Sequence, residues 1–396
     1  KEKYSDMMKI KKLGLLPLII ISIIVGIALG NVLPLGVVRV FTTFNALFSQ
    51  FLGFMVPLII VGLVTPAIAD VGKGAKKLLL ITVLLAYCDT VLSGLLSYSV
   101  GSWLFPSLIN TQETFEQVKS ATAIEPYFTI NIPALFDIMS GLVFSFITGL
   151  CITSQRLNNL YGVFSDLSKV VDAVIRNVII PILPLYIFGI FLNMTYSGEV
   201  YHMVLVFAKI IVVIFALHII ILLYQFSIAG AIVKKNPFVL LKTMLPAYFT
   251  ALGTSSSAAS IPVTLQQTIN NSVSKGIAGF VVPLCATIHM SGSVMKITAC
   301  ALTICILNGM PHDFMLFFGF ILLLSIMMVA SPGVPGGSIM AALAPLASVL
   351  GFDSEAQALM IALYIAMDSF GTACNVTGDG AIALIVDKVT KNSVEE

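Results

Sequence analysis

Ionisable residues lie inside strongly apolar stretches of this chain, where a charge needs a partner or a polar cavity. Asp368 lies in one such stretch, and Thr372 follows it by about one helical turn. Asp89, His289 and Lys296 lie in others. Charged side chains at membrane depth are rare and mark solute, ion or proton pathways. These residues therefore predict a buried site that handles a charged solute, a cation or both.

Two short polar stretches interrupt apolar blocks of the chain. Residues 253–257 read Gly-Thr-Ser-Ser-Ser, and residues 331–338 read Ser-Pro-Gly-Val-Pro-Gly-Gly-Ser. The hydroxyls of Ser256 and Ser257, and backbone N–H groups around residues 333–336, can donate hydrogen bonds to a carboxylate. The alternative is a tight turn whose serines satisfy only their own backbone.

The composition identifies the surroundings of these stretches. Of the 396 residues, 58% are hydrophobic and 10% are charged, and the mean hydropathy is +1.03. Since about 25% of the residues of a soluble protein are charged, the composition predicts a membrane protein. The formal net charge of +2 gives no excess of basic residues for a polyanion, so nucleic acid is not an expected partner.

Apolar segments of about 20 residues predict membrane-spanning helices. Six clear candidates precede residue 235, and they are residues 13–33, 47–69, 77–104, 133–154, 167–194 and 201–232. Basic residues follow the second, fourth and sixth candidates, as cytoplasmic loops require, whereas Arg39 falls on the opposite side. The same rule predicts a plasma or inner membrane protein with both termini in the cytoplasm.

Four further apolar blocks alternate between returning and crossing. Residues 238–274 and 314–350 each have both ends on one side, and they predict re-entrant helical hairpins. Residues 277–307 and 356–386 predict crossings.

Each of these two crossings contains a polar interruption, at residues 289–293 in the first and 375–380 in the second. Irregular backbone at membrane depth is tolerated only where it is buried in protein or lines a polar cavity. A hairpin plus a broken helix occurs twice in opposite orientations, and such inverted repeats are typical of secondary transporters. The predicted fold is an all-α polytopic membrane protein with eight transmembrane helices and two re-entrant hairpins.

Three motifs resemble those of the dicarboxylate/amino acid:cation symporter family, which includes glutamate and neutral amino acid transporters. They are the serine-rich tip with Ile-Pro-Val-Thr at 261–264, Gly-Val-Pro-Gly at 333–336, and Asn-Val-Thr-Gly-Asp at 375–379. The resemblance covers nearly the whole chain. It implies a homotrimer in which a transport domain slides past a fixed scaffold, as in an elevator mechanism.

The resemblance also implies which segments move. Residues 13–76 and 106–199 correspond to the scaffold, with spans one, two, four and five and the outer loop. Residues 77–105 and 200–387 correspond to the transport domain, with spans three and six, both hairpins and the last two crossings.

In that family an aspartate at the position of Asp368 accepts the α-ammonium of the substrate, and Thr372 can share this contact. The other substrate-binding positions that the resemblance implies are Ser256, Ser257, Val334, Pro335, Gly336, Gly371 and Asn375. A salt bridge between Asp368 and a lysine of the protein is the alternative.

Family members that transport acidic substrates carry an arginine four residues before the motif asparagine or on the first hairpin tip. This chain has Gly371 and Ser255 at those positions. A buried carboxylate without a partner is costly, so the sequence predicts a small neutral amino acid such as serine, threonine or alanine. An acidic amino acid such as aspartate or glutamate is the alternative, if Lys296 replaces the arginine.

The resemblance implies sodium as a coupling ion. Asn375 and Asp379, with main-chain oxygens near Cys285 and His289, would form one site, since hard oxygen donors suit a hard cation. The other implied ligands are Tyr87 and Thr90 for a second site, and Thr287, Val329 and Ser331 for a third.

The sequence departs from the family at residues 289–293, which read His-Met-Ser-Gly-Ser in place of Asn-Met-Asp-Gly-Thr. An amide and a carboxylate that would serve Na⁺ are thereby lost. His289 can carry a proton near neutral pH, Lys296 can act as a fixed cation, and Asp89 can pair with either. The sequence therefore predicts fewer sodium sites than the family norm, with H⁺ as an additional or alternative coupling ion. The alternative is a purely structural role, in which His289 only forms a hydrogen bond with a neighbouring carbonyl.

Two other functions fit part of the pattern. Ser257 with His289 or Lys296 resembles the nucleophile and base of an intramembrane hydrolase, but hydrolysis does not need paired inverted hairpins. A passive channel needs a continuous lined pore, whereas these polar residues cluster near the two hairpin tips. The sequence therefore predicts a symporter and not an enzyme, without an organic cofactor, whose partners are an amino acid, membrane lipid and copies of itself.

Overall fold

The computed structural model describes residues 15–71, 76–109, 124–135, 138–198, 200–329, 331 and 336–392. All regular structure within these residues is helical. The helices are α1 (Leu15–Gly30), α2 (Leu35–Val71), α3 (Lys76–Leu108), α4 (Ile138–Gln155), α5 (Asn158–Val174), α6 (Ile180–Tyr196), α7 (Val200–Val233), α8 (Pro237–Thr254), α9 (Ser257–Asn270), α10 (Lys275–Ile288), α11 (Ser291–Leu307), α12 (Phe314–Met328), α13 (Gly337–Ser348), α14 (Ser354–Ala366) and α15 (Asp368–Asn392).

Several of these helices are long and apolar enough to cross a membrane. Five described segments meet both conditions, or six if the bent pair α14–α15 forms one span, and they include the continuous stretch Asn158–Tyr196. A π-helical turn at Ile175–Ile179 joins α5 to α6 within that stretch. The prediction of an all-α membrane protein is confirmed, and the count of eight crossings stays a prediction.

The second helix begins earlier than the sequence predicts. The predicted span started at residue 47, whereas α2 begins at Leu35 and therefore contains Arg39. Arg39 donates from Nε to the carbonyl of Glu125 (2.8 Å), and its guanidinium lies 4.6 Å from the centre of the Tyr127 ring. The partly polar residues before 47 hide this extension from a hydropathy criterion, and so Arg39 does not lie in a loop.

Of the two predicted helix interruptions, the first is confirmed and the second is wrong. Helix α10 ends at Ile288 and α11 starts at Ser291. By contrast, α15 runs unbroken through residues 375–380, and the break lies earlier, at Met367, where α14 and α15 differ in direction by 63°. The polar residues of 375–380 do not break the helix, because Asn375 and Asp379 have partners outside it and Thr377 donates to a carbonyl within it.

The first predicted hairpin consists of two helices joined by a two-residue turn. Ser255 ends α8 in the left-handed region with φ 49°, and its N–H donates to the carbonyl of Ala251. Ser256 then caps α9, since its side chain accepts a hydrogen bond from the N–H of Ala259. In the second predicted hairpin, α12 and α13 flank a connection whose residues 330 and 332–335 lie outside the described residues.

The helices pack mainly within two sets. In the first set, α2 packs against α4, α5 and α6, and α1 packs along α6. In the second, α3 packs along α11, while α7, α8, α9, α10 and α11 surround α15. Most of the buried polar residues, including Lys296, Asp368, His289 and Asp379, lie within this second set.

Candidate functional site

A buried ion pair lies at the start of α15. Lys296 on α11 is fully buried, and its Nζ lies 3.3 Å from Oδ1 of Asp368. The same ammonium donates to the carbonyl of Met367 (3.3 Å), at the break between α14 and α15, and lies 3.5 Å from the centre of the Tyr364 ring. Asp368 is the first residue of α15, where the helix dipole favours a negative charge. Of the two alternatives for Asp368, the structure therefore contains the salt bridge to a protein lysine.

Gly371 makes room for this lysine. A Cβ atom at position 371 would lie 2.7 Å from Nζ and 2.9 Å from Cε of Lys296. Any larger residue at 371 would therefore displace the lysine side chain. The Lys296 ammonium thus occupies the space above the position where the resemblance places an arginine in transporters of acidic substrates.

The second hairpin also reaches Asp368. The backbone N–H of Gly336, just before α13, donates to Oδ2 of Asp368 (2.8 Å). Ser331 and Ser338, on the two sides of the same connection, are joined by a 3.0 Å hydrogen bond. Val334 and Pro335, also predicted to bind substrate, lie outside the described residues. Asp368 is therefore bonded to α11 and to the second hairpin at the same time.

Thr372 and Asn375 are both buried, and their polar atoms bond within the protein. The Thr372 hydroxyl donates to the carbonyl of Asp368 (2.9 Å). Oδ1 of Asn375 accepts from the N–H of Gly292 (2.8 Å), and its Nδ2 donates to Oγ of Ser293 (3.1 Å). Asn375 thereby caps the start of α11, since helix N-termini leave N–H groups without helical partners.

The serines of the first hairpin tip form local bonds. Ser256 is half-buried and its hydroxyl caps α9, as described above. Ser257 is buried as the first residue of α9. The observed turn at Ser255 is compatible with both interpretations of this tip, a carboxylate-binding loop and a tight turn.

A second cluster joins three helices through one histidine. Nε2 of His289 lies 2.7 Å from Oδ2 of Asp89 on α3, and Nδ1 lies 2.9 Å from Oδ1 of Asp379 on α15. His289 and Asp379 are buried, and the Asp89 side chain is 12% exposed. Asp89 therefore pairs with His289 and not with Lys296.

The geometry of this cluster requires an additional proton. Each contact between a ring nitrogen and a carboxylate oxygen needs one hydrogen, and a neutral imidazole has only one N–H. The second hydrogen makes the ring an imidazolium or protonates one of the two carboxylates. His289 is thus bonded to two carboxylates, and the alternative in which it bonds only a carbonyl is wrong.

Tyr224 and Gln225 on α7 complete this cluster, although they are not among the residues predicted from the sequence. The Tyr224 hydroxyl donates to Oδ1 of Asp89 (2.5 Å), and Nε2 of Gln225 donates to Oδ2 of Asp89 (2.6 Å). Nε2 of Gln225 also lies 3.2 Å from Oγ of Ser291. Two adjacent polar residues that follow the apolar stretch 219–223 were the signal that could have identified them.

The predicted sodium ligands have partners within the protein. The Cys285 carbonyl accepts from the N–H of His289 (2.8 Å). The Thr90 hydroxyl donates to the carbonyl of Ala86 (2.7 Å) and accepts from the N–H of Met290 (3.3 Å). The Tyr87 hydroxyl donates to the carbonyl of Leu322 (3.3 Å). The Thr90 and Tyr87 hydroxyls therefore connect segments far apart in the chain, the Cys285 carbonyl closes the end of α10, and the predicted role of all three toward Na⁺ stays a prediction.

The ligands predicted for the third sodium site have hydrogen-bond partners that lie three to seven residues away in the chain. Thr287 is exposed and donates to the carbonyl of Leu284 (2.7 Å). Val329 ends α12, with its N–H bonded to the carbonyl of Ile326 (3.1 Å), and Ser331 bonds to Ser338. Among the described residues, no group of three or more His, Cys, Asp or Glu side chains has the arrangement of a metal site.

The sequence from residue 15 to residue 389 matches the sodium:dicarboxylate symporter family. The serine/threonine transporter SstT of Acinetobacter baylyi is 24% identical over 409 aligned residues, which cover 96% of this chain and 98% of the relative. The chain is thus similar to that transporter over nearly its full length.

Excitatory amino acid transporters are similar over a shorter region. Human excitatory amino acid transporter 5 is 35% identical over 184 residues, which are 45% of this chain and 31% of the relative. Excitatory amino acid transporter 1 of Ambystoma tigrinum is 35% identical over 170 residues, or 42% of this chain and 30% of the relative. The matched region therefore spans less than a third of the length of these transporters.

Proposed function

The chain belongs to the sodium:dicarboxylate symporter family, and we propose that it is a cation-coupled transporter of a small neutral amino acid such as serine, threonine or alanine. Membership makes the protein a membrane symporter and not an enzyme in the catalytic sense. The hydrolase alternative has no support from the site, because both ring nitrogens of His289 face carboxylates and the Lys296 ammonium faces Asp368.

The observation that carries this substrate assignment is the pair of Lys296 and Asp368, at 3.3 Å. Its two charges cancel, so the site has no net charge to offer a solute. A zwitterion brings one charge of each sign and leaves the site balanced. An acidic amino acid brings one further negative charge, and a buried charge without a partner costs several kcal/mol, about 3 or more.

An acidic substrate is the second candidate, and one observation favours it. The Lys296 ammonium would lie 2.7 Å from a Cβ atom at position 371. It is therefore close to the space that the implied arginine side chain would enter. In this alternative Lys296 would hold the side-chain carboxylate of aspartate or glutamate.

For the coupling ion, we propose that the cluster of His289, Asp89 and Asp379 carries H⁺. The two short contacts of the imidazole require a proton beyond that of neutral histidine. The family is in general sodium-coupled, and Na⁺ at a reduced number of sites is the alternative. Oxygen atoms of Asn375 and Asp379, predicted as Na⁺ ligands, are bonded to Gly292 and His289, which favours the proton.

The transport cycle is proposed to move one set of helices past the other within a homotrimer. The moving part would comprise residues 77–105 and 200–387, and the fixed part residues 13–76 and 106–199. The packing supports this division, because α3 lies along α11 in one set and α1 along α6 in the other. Both buried charge clusters belong to the part that moves.

Uptake into proteoliposomes tests the substrate. Radiolabelled serine, threonine, alanine and aspartate are compared in vesicles that contain the full chain or no protein. We expect the neutral amino acids to be taken up and aspartate to be excluded. Preference for aspartate would contradict the neutral substrate and favour the acidic alternative, and a protein indifferent to all four would refute both.

Separate Na⁺ and H⁺ gradients test the coupling ion. We expect uptake to follow the H⁺ gradient, to fall when a protonophore dissipates it, and to lose this dependence in His289→Asn. His312→Asn is the matched control, because the His312 side chain is exposed and its Nδ1 bonds to the nearby carbonyl of Met310. An H⁺ response that survives in His289→Asn would remove this residue from the coupling role.

A further inference from the structure

We propose that Lys296 exchanges partners during transport, pairing with Asp368 when the transporter carries no substrate and with the carboxylate of the substrate when it does. This inference rests on the proposed function, in which the solute is a zwitterionic amino acid. It assigns to Lys296 the role of a cation that stays with the protein and takes the place of the substrate ammonium between transport events.

The charges of the site fit this exchange. Asp368 can be neutralised by the Lys296 ammonium (3.3 Å) or by the ammonium of an amino acid. In an α-amino acid the ammonium and the carboxylate are attached to the same carbon atom. A solute whose ammonium displaces Lys296 from Asp368 therefore brings a carboxylate to the displaced lysine, and every charge keeps a partner of opposite sign.

The surroundings of Lys296 allow it to move without losing every contact. Its ammonium lies 3.5 Å from the centre of the Tyr364 ring, and a cation is attracted to such a ring out to about 6 Å. Gly371 has no side chain that would confine the lysine against α15. The long lysine side chain has several rotatable bonds, so a small rotation of its end can change partners.

The second hairpin gives this exchange a consequence for transport. The N–H of Gly336 donates to Oδ2 of Asp368, while Lys296 bonds to Oδ1. The hairpin can therefore contact Asp368 while a cation of the protein itself neutralises that carboxylate. A transporter in this form can recross the membrane without an unpaired charge at Asp368, and so it performs net uptake rather than obligatory exchange.

The experiment compares net uptake with exchange in proteoliposomes that contain the full chain. Labelled serine is supplied outside, and the vesicles contain either no amino acid or an excess of unlabelled serine. In Lys296→Met we expect the ratio of net uptake to exchange to fall about a hundredfold, because the Asp368 charge must then recross without its partner. Exchange persists, because the ammonium of serine still neutralises Asp368 on each crossing, and the serine carboxylate, which has lost Lys296, keeps the predicted hydrogen bonds from Ser256 and Ser257.

Two further variants keep the result interpretable. Lys242→Met is the matched control, because Lys242 is an exposed lysine on α8, and it should keep the wild-type ratio. Gly371→Ala should lower the ratio in the same direction as Lys296→Met, because the new Cβ atom would lie 2.7 Å from Nζ. If Lys296→Met does not fold, Gly371→Ala decides the question.

A ratio is measured within one preparation and does not depend on the fraction of folded protein. A wild-type ratio in Lys296→Met and in Gly371→Ala would overturn the proposal, even if both variants are slow. By contrast, a wild-type protein that transports serine, threonine and alanine in neither mode would overturn the proposed function itself.

Discussion

At the scale of single residues, two glycines on α15 determine how closely the buried Lys296 and His289 side chains approach this helix. Gly371 faces Lys296, and Gly378 faces His289 and Gln225. A Cβ atom at 378 would lie 2.8 Å from Cε1 of His289 and 2.8 Å from Oε1 of Gln225. Both contacts are closer than well-packed atoms tolerate, so each glycine is required by the side chain that lies against it.

Gly378→Ala is expected to lower stability by about 2 kcal/mol, the usual cost of overfilling a packed interior. The new methyl group pushes His289 away from Asp379 and weakens the link between α10 and α15. Thermal unfolding in detergent measures the change. Gly279→Ala on α10 is the control, because nothing lies within 4 Å of its added Cβ, and an equal loss in this control would contradict the steric explanation.

Asp368→Asn is expected to destabilise the protein by about 3 kcal/mol, because it leaves the Lys296 ammonium buried without a counter-charge. Lys296→Met added to the same protein removes that charge and should restore much of the stability. Substrate binding should be lost in the single and the double variant. If the two substitutions are additive in thermal unfolding, the residues do not form a functional pair.

The sequence identified most of the ionisable residues of the site but not how they pair. Asp89, His289, Lys296 and Asp379 are conspicuous because each is a titratable group in an apolar stretch. Their pairing depends on the rotation of α3, α11 and α15 about their axes, which hydropathy does not determine. Position in the chain even suggested a common role for His289 and Lys296, which instead bond to different carboxylates.

At the scale of helices and turns, polar residues within an apolar segment do not by themselves break a helix. Residues 375–380 contain three polar or charged side chains and two glycines, yet they lie within α15. Thr377 donates to the carbonyl of Ala373 within the helix, while Asn375 and Asp379 bond to other helices. Composition therefore predicted the interruption at the wrong place, whereas the break at His289 was predicted correctly.

Ser255→Gly is expected to stabilise the first hairpin by about 1 kcal/mol. Ser255 adopts φ 49°, a left-handed conformation that costs a residue with a Cβ atom about 1–2 kcal/mol and costs glycine little. Ser256→Gly is the control, because Ser256 is extended with φ −138° and caps α9, so its loss should lower stability slightly. Thermal midpoints that move in the same direction would contradict this account of the turn.

At the scale of the whole molecule, the proposed fixed and moving parts contact each other largely through the second hairpin and the helix that follows it. Helix α13 contacts α2, and α14 contacts α1 and α6. The hydroxyl of Tyr186 on α6 lies 2.8 Å from that of Ser49 on α2 and 3.5 Å from the carbonyl of Ser354 at the start of α14. Sliding of one set past the other requires this last contact to break.

A crosslink across this contact is expected to stop transport and leave substrate binding intact. Cysteines replace Ser49 and Ser354, and a short bis-maleimide joins them, in a background without the exposed Cys88 and Cys151. Uptake and equilibrium binding are measured before and after crosslinking. A crosslink within one set, between cysteines at Ala69 and Thr153, should leave uptake unchanged, since the Thr153 hydroxyl already bonds to the Ala69 carbonyl.

The sequence predicted the helical class and the chain order of its elements better than their bounds. Apolar length and basic loops identify crossings because a membrane imposes both. The start of α2 at Leu35 was missed because its first turns pack against residues 124–135, through Arg39 and Tyr127. Contacts of this kind join segments far apart in the chain, and no local pattern encodes them.

The limited space above Gly371 also restricts the order in which arginine at 371 and lysine at 296 could replace each other during evolution. An arginine at 371 and the observed Lys296 conformer exclude each other, by volume and by like charge. A lineage that exchanged one for the other therefore passed through an ancestor with neither cation, or acquired the lysine in a different rotamer first. Introducing arginine at 371 into the present protein should accordingly succeed only after Lys296 has been replaced.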